Sequence, residues 1–336
     1  MTLSRFMIRL LLMKKSLKNI LILFIVAICI LSAIFHKRII LCCGLIENFL
    51  SLKDNIAIAQ EIDVNVSSTA MNCRDVLYKS TNGVQLHLDI YSPINQVYTS
   101  SPVIMYVHGG CWAYGDKSIP DVLTPILDSF RKEGYTIISV EYELMRNTES
   151  FEKQVSDVKD AIRWIYKNKN VYNLDTNEIG LIGVSSGAHI SMLAAYSDEN
   201  SFEDEPSLIG YPSNIKYIVD CFGPTDLSLL NTNDLNYDLY SIFSSIEDID
   251  KTVNLYNPIN YVNEDIPNTL IIHGKSDELV PCESSIMLYD KCNEEKTKSD
   301  LILLDFSSHD FSGINEDDIM NFSTGLLKFI ILNSPL

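Results

Sequence analysis

Apolar and polar residues alternate along Val84–Tyr91, with Val84, Leu86, Leu88 and Ile90 set against polar partners. That period of two predicts a half-exposed strand at the edge of a sheet. Val103–Val107 is apolar throughout, the pattern of a strand buried on both faces. Thr136–Val140, Leu181–Val184, Tyr217–Phe222, Thr269–Ile272 and Leu301–Leu304 read the same way. Between them the period lengthens. Phe151, Val155, Val158, Ile162 and Ile165 recur at helical spacing and predict an amphipathic helix over residues 149–167. Ile319, Phe322, Leu326 and Phe329 do the same near the end of the chain. Strands alternating with helices predict an α/β fold, with a mostly parallel central sheet flanked by helices. Ser228–Asn254 is the least patterned part, acidic and rich in Tyr and Asn. It is expected to form a small cap over the sheet's C-terminal edge, where ligand sites of such sheets lie.

The first forty residues break this pattern. Arg5, Arg9, Lys14, Lys15 and Lys18 precede Ile20–Phe35, which is apolar except for Ser32. The run falls between a signal-peptide core and a full span of roughly 17–25 residues. Bulky Ile34 and Phe35 stand where a cleavage site needs small residues. Residues 1–41 therefore read as a retained signal-anchor with the basic end in the cytoplasm and the body outside. A cleaved signal peptide and a secreted body are the alternative. Residues 42–72 are expected as a membrane-proximal linker, overlapping an amphipathic stretch Ile40–Ala59, and residues 73–336 as one catalytic domain.

Charge sharpens the division. The chain carries a formal −18, but residues beyond 41 hold 19 bases against 44 acids. So acidic a body excludes nucleic acid as a partner, because basic surface supplies that affinity. The eight cysteines form no C-x-x-C pair and no zinc spacing with histidine. They read as isolated thiols, and an extracellular body leaves room for one bridge such as Cys282–Cys292. No metal or organic cofactor is implied.

The chemistry begins at Gly183-Val184-Ser185-Ser186-Gly187, between a strand-like run and the small-residue helix Ala188–Ala195. Strand, G-x-S-x-G, helix is the context of a nucleophile elbow, where a tight turn lifts a serine hydroxyl clear of the sheet. A serine needs a base, and the base needs an orienting acid. Asp277 follows the strand around Ile271, and His309 follows the strand Leu301–Leu304. Glu278 is the rival acid. His36, His87, His108, His189 and His273 read as structural, which leaves His309 as general base. His108-Gly109-Gly110-Cys111-Trp112 comes straight after the Val103–Val107 strand. Its glycines let backbone N–H groups approach an oxyanion, and Gly109, Gly110, Cys111 and Ser186 are the candidate hole. Trp112 is expected to pack the oxyanion loop, with a place in the substrate pocket as the alternative. Asp116 is expected to brace the loop or pair with Lys117, and Asp226 to be structural.

These residues carry a resemblance. His108-Gly-Gly-x-Trp112-x-x-Gly115-Asp116-Lys117, Gly-Val-Ser185-Ser-Gly-Ala-His189 and His273-Gly-x-x-Asp277-x-x-Val-Pro281 look like the α/β-hydrolase superfamily. The branch it resembles is that of carboxylesterases related to hormone-sensitive lipase and to bacterial feruloyl or acetyl-xylan esterases, across roughly residues 73–335. The resemblance implies a Ser185/Asp277/His309 triad and an oxyanion hole from the amides of Gly110, Cys111 and Ser186. Three positions depart from the pattern. Cys111 replaces a usual third glycine, Tyr142-Glu143-Leu144 replaces Tyr-Arg-Leu, and Ser186 stands where Ala is common. The expected function is cleavage of small-molecule or carbohydrate esters through an acyl-enzyme. An amide or peptide hydrolase on the same triad is the first alternative, and a non-catalytic binding protein of the same fold the second.

Overall fold

The computed structural model describes Leu31, Phe243, Ile246 and residues 34–59, 73–81, 83–120, 123–146, 148–230, 248–309 and 312–335. Eight strands form one sheet: β1 (Cys73–Thr81), β2 (Val84–Tyr91), β3 (Ser101–Val107), β4 (Thr136–Val140), β5 (Leu174–Val184), β6 (Tyr217–Cys221), β7 (Asn268–Gly274) and β8 (Ser299–Leu304). Their order is β1-β2-β4-β3-β5-β6-β7-β8. β1 and β2 are antiparallel to their neighbours, and β3 to β8 run parallel. The helices are α1 (His36–Ala59), α2 (Thr124–Lys132), α3 (Phe151–Tyr172), α4 (Ser186–Tyr196), α5 (Ile249–Tyr256), α6 (Glu283–Glu294) and α7 (Glu316–Asn333).

Alternation along the central strands splits the core into two layers. Val103, Met105 and Val107 of β3 pack with α3 and α4 through Val158, Ile162, Ile190 and Leu193. Ile104 and Tyr106 point the other way, into a layer with Phe130 of α2 and Leu326 and Ile330 of α7. Every residue of β3 and β4 is buried, as strands covered on both faces require. This is the α/β-hydrolase arrangement.

Several expectations shift. Val84–Tyr91 is not the edge, because β1 pairs outside it with Val76 opposite Leu88. β1 escapes the hydrophobic pattern because one of its buried residues is a lysine, Lys79, beside Tyr78. That ammonium is buried and sits 2.7 Å from Asp157, 2.9 Å from Asp160 and 2.8 Å from Asp204. Burial alone would depress Lys79, but the Asp157 and Asp160 charges push it well above the ordinary lysine range. β6 stops at Cys221, since Phe222 has φ +46° and leaves the sheet. The predicted helix over 149–167 runs from Phe151 to Tyr172 and ends on Asn173 in the left-handed conformation. Cys282 and Cys292 are both free thiols.

The stretch expected as a linker begins inside α1, which docks on the body. Leu41 and Leu45 are buried in the α2/α7 layer. Arg38 donates from Nε and Nη2 to the carbonyl of Ser334, at 2.9 and 2.8 Å. Most of the expected signal-anchor, and residues 231–242 of the expected cap, lie outside the described residues. Among the described residues no helix is long and apolar enough to cross a membrane.

Candidate active site

The site lies along the C-terminal edge of the parallel strands. Ser185 stands between β5 and α4 with φ +54° and ψ −122°, a region a serine occupies only under constraint. The constraint is visible in its neighbours. A Cβ on Gly187 would meet the carbonyl of His108 at 2.2 Å, and one on Gly183 would meet Ala188 Cα at 2.5 Å. The two glycines let α4 press against β3 and β5, and the chain must then turn sharply at Ser185. Its amide is held by the carbonyl of Cys221 at 2.8 Å.

Ser185 Oγ is 2.8 Å from His309 Nε2, and His309 Nδ1 is 2.7 Å from Asp277 Oδ2. Asp277 accepts the Nδ1–H, which leaves Nε2 free to accept the serine proton. The other carboxylate oxygen takes the amides of Leu279 and Val280 at 3.0 and 2.8 Å. Burial would raise the Asp277 carboxyl, but hydrogen bonds from His273 and His309 hold it well below the usual carboxylate range. It is therefore an anion at neutral pH, facing a ring that is to gain a proton. Glu278 is exposed and lies outside this chain of contacts.

The glycine loop after β3 closes on the serine. A Cβ at Gly109 would sit 3.2 Å from Ser185 Cβ, so backbone alone fits there. Gly110, Cys111 and Trp112 all have positive φ, at +123°, +49° and +63°. Gln154, fully buried, pins this strained loop by donating to the carbonyls of Trp112 and Glu143 at 2.8 and 2.7 Å. Ser186 opens α4, so its amide is among those without an intrahelical acceptor. Cys111 packs against the core, and burial pushes its thiol up, which keeps it neutral beside the nucleophile. Glu143, one of the three departures from the resembled pattern, pairs with Lys153 at 3.3 Å.

Trp112 is turned into the core. It is 3% exposed, packs edge-on against Phe151, His189 and Phe243, and donates its indole N–H to His189 Nδ1 at 3.1 Å. His189 donates in turn to the carbonyl of Tyr256 at 2.8 Å, and burial lowers its pKa to about 4. This core histidine stays neutral. Asp116 accepts from the Ser118 amide, whereas Lys117 reaches Asp75 and Glu141, both at 2.8 Å. Asp226 caps the turn Leu227–Leu229 and accepts from Asn257, a structural role.

Two residues at the site were not singled out for it by sequence. His273 stands 3.2 Å from Asp277 Oδ2 through Nε2 and 2.7 Å from Ser285 Oγ through Nδ1. It braces the acid from behind. Its place four residues before Asp277 in the His-Gly-x-x-Asp run was the available signal. Phe222 stacks edge-on against the His309 ring at 5.0 Å, and nothing in the pattern marked it.

The arrangement can move a proton from a serine to an imidazole stabilised by a buried carboxylate, beside converging amides. Comparisons with known proteins agree in kind. The BD-FAE family model matches residues 88–292. Esterase LipC of Mycobacterium tuberculosis is 26% identical over 217 residues, covering 63% of this chain and 53% of that protein. The isoprenylcysteine alpha-carbonyl methylesterase ICME of Arabidopsis thaliana is 26% identical over 231 residues, covering 66% and 53%. The chain spans about half the length of these curated relatives. Among solved structures, a truncated carbohydrate esterase from gut microbiota superposes with a TM-score of 0.64 at 25% identity, covering 80% of this chain and 98% of that one.

Proposed function

The chain belongs to the BD-FAE family, and from that premise we propose that it is a serine esterase cleaving carboxylic esters of small molecules or carbohydrates. The observation that carries the reading is the unbroken relay of 2.8 Å from Ser185 to His309 and 2.7 Å from His309 to Asp277. Ser185 Oγ attacks the ester carbonyl while its proton passes to His309 Nε2. The amides of Gly110, Cys111 and Ser186 take the charge that develops on the carbonyl oxygen. Collapse expels the alcohol, which takes its proton from His309. Water, deprotonated by His309, then attacks the acyl-enzyme and frees the acid. Asp277, held anionic, stabilises the imidazolium in both halves. The carbohydrate side of the proposal draws on the carbohydrate esterase of the gut microbiota, which this chain matches along 98% of that enzyme's length.

The N-terminal run Ile20–Phe35 is proposed as a retained signal-anchor that holds the body outside the cytoplasm. Five Lys or Arg lie before the run, the bias that keeps that end inside. A mature protein shortened by about 35 residues contradicts the anchor.

The activity is tested by turnover of p-nitrophenyl acetate and of acetylated xylo-oligosaccharides by the purified chain. Turnover abolished by Ser185→Ala is the expected result. Turnover retained by that variant refutes the mechanism. Faster turnover of the matching anilide would instead make the chain an amidase.

A further inference from the structure

We propose that the catalytic mouth faces away from the membrane, so that this chain takes water-borne or wall-bound esters and not the acyl lipids of its own bilayer. The proposal rests on the signal-anchor reading above.

The point where the apolar run enters the fold is fixed by four contacts. Arg38 donates to the carbonyl of Ser334 at the end of α7. Ser334 Oγ meets the Tyr135 hydroxyl at 2.6 Å, and Tyr135 leads directly into the start of β4. Asn333 Oδ1 accepts from Asn268 Nδ2, the first residue of β7, at 2.5 Å. Thr136, next to Tyr135, is level with Val103 of β3, and Val103 with Ile179 in the first half of β5. Together these place Arg38 at the N-terminal edge of the parallel strands. The triad and the glycine loop stand at the opposite edge, after the strands end.

The separation follows from strand geometry. Ser185 stands six residues beyond Ile179, just past the end of β5, and a strand rises about 3.3 Å per residue, so roughly 20 Å of protein stands between the two levels. A glycerol ester at the lipid surface lies near the Arg38 level and cannot climb that far without leaving the bilayer.

Two further features hold the body in this pose. Leu31, Ile34, Phe35, Ile39 and Ile40 are each at least 36% exposed. They continue the Ile20–Phe35 run onto the outside of the fold, and an apolar patch of that kind suits the lipid interface. Beyond residue 41 the chain carries 25 more acids than bases, so an anionic bilayer repels the body as a whole. α1 is no swivel, since Leu41 and Leu45 are buried in the core. A Cβ on Gly44 would meet the Glu133 carboxylate at 2.2 Å, so α1 lies close against the end of α2.

The test uses the full-length chain in phosphatidylcholine vesicles that carry a nitroxide-headgroup lipid, a quencher of contact range. Ser185 is first labelled with a dye-bearing fluorophosphonate. Flotation with the vesicles, with dye emission within a tenth of its value in detergent, is the expected result. Flotation with half or more of the emission lost overturns the orientation while leaving the anchor standing. Failure to float overturns the anchor, and the orientation with it. Failure of the dye to attach at Ser185 contradicts the serine esterase itself.

Discussion

The two ends of the same six parallel strands are built in opposite ways. At the C-terminal ends, Cys111, Trp112, Ser185 and Phe222 all hold positive φ, conformations that cost these residues of order 1–3 kcal/mol each. At the N-terminal ends, ordinary polar pairs close the structure. Tyr135 meets Ser334, Thr136 donates to Ser101 Oγ at 3.0 Å, and Asn268 donates to Asn333. Positive φ also occurs at the other end, at Asn173 before β5 and Lys296 before β8, but four such residues gather where a hydroxyl and several amides must converge on one point. The more relaxed end and the buried β3 and β4 form the frame on which they stand.

The largest expected effect is on the strained end alone. Ser185→Ala should cost about 10⁴–10⁶ in kcat, and adding His309→Ala should cost little more, because the relay acts as a unit. Additive losses measured with p-nitrophenyl acetate would mean that the two residues work separately. The thermal midpoint should hardly move.

The second effect is on stability and comes from the histidine beneath the glycine loop. His189 has a folded pKa of about 4, below its ordinary value. Its contribution is thus complete above pH 6.5 and is lost as pH falls toward 4. A depression of that size corresponds to roughly 3 kcal/mol. Urea midpoints between pH 7.5 and 4.5 should fall steeply for the native chain and less steeply for His189→Phe. Some slope should remain, because burial lowers His108 as well. Equal slopes in the two proteins would show that His189 does not titrate as a buried group.

A smaller loss is expected behind the acid. His273→Phe removes the second imidazole from Asp277, and a carboxylate that is less well aimed should lower kcat by about 10–100-fold with KM unchanged. The acid limb of the pH profile should move with it. A change confined to KM would place His273 outside the relay. The smallest effect belongs to the relaxed end. Arg38→Ala removes two hydrogen bonds to one carbonyl and should cost about 1–2 kcal/mol of stability, read as a lower urea midpoint. It should leave kcat/KM unchanged. A drop in kcat/KM would mean that the two ends are coupled.

The comparison also explains what could be read from the chain in advance. β3 and β4 were legible because burial on both faces leaves no polar position to confuse the pattern. The elbow was legible because close packing at Gly183 and Gly187 demands glycine and so writes itself into the sequence. β1 was hidden because Lys79 faces inward, its charge balanced by aspartates from α3 and the loop after α4. α1 read as a linker because, among its described side chains, only Leu41 and Leu45 are fully buried, too few to set a period. For Trp112 the neighbouring glycines left packing and pocket both open, because position along a loop does not fix the direction of a side chain. Phe222 carried no signal at all, since an aromatic after a strand is ordinary and its positive φ appears only in three dimensions.

The mechanism turns on one serine, lifted by the elbow, that carries the acyl group. Mass spectrometry of the chain after treatment with an organophosphate tests it most directly. The prediction is a single adduct per chain, on the peptide that contains Ser185, forming in step with the loss of esterase activity and absent from His309→Ala on the same timescale. An adduct on another residue, or esterase activity that persists with Ser185 modified, would contradict it.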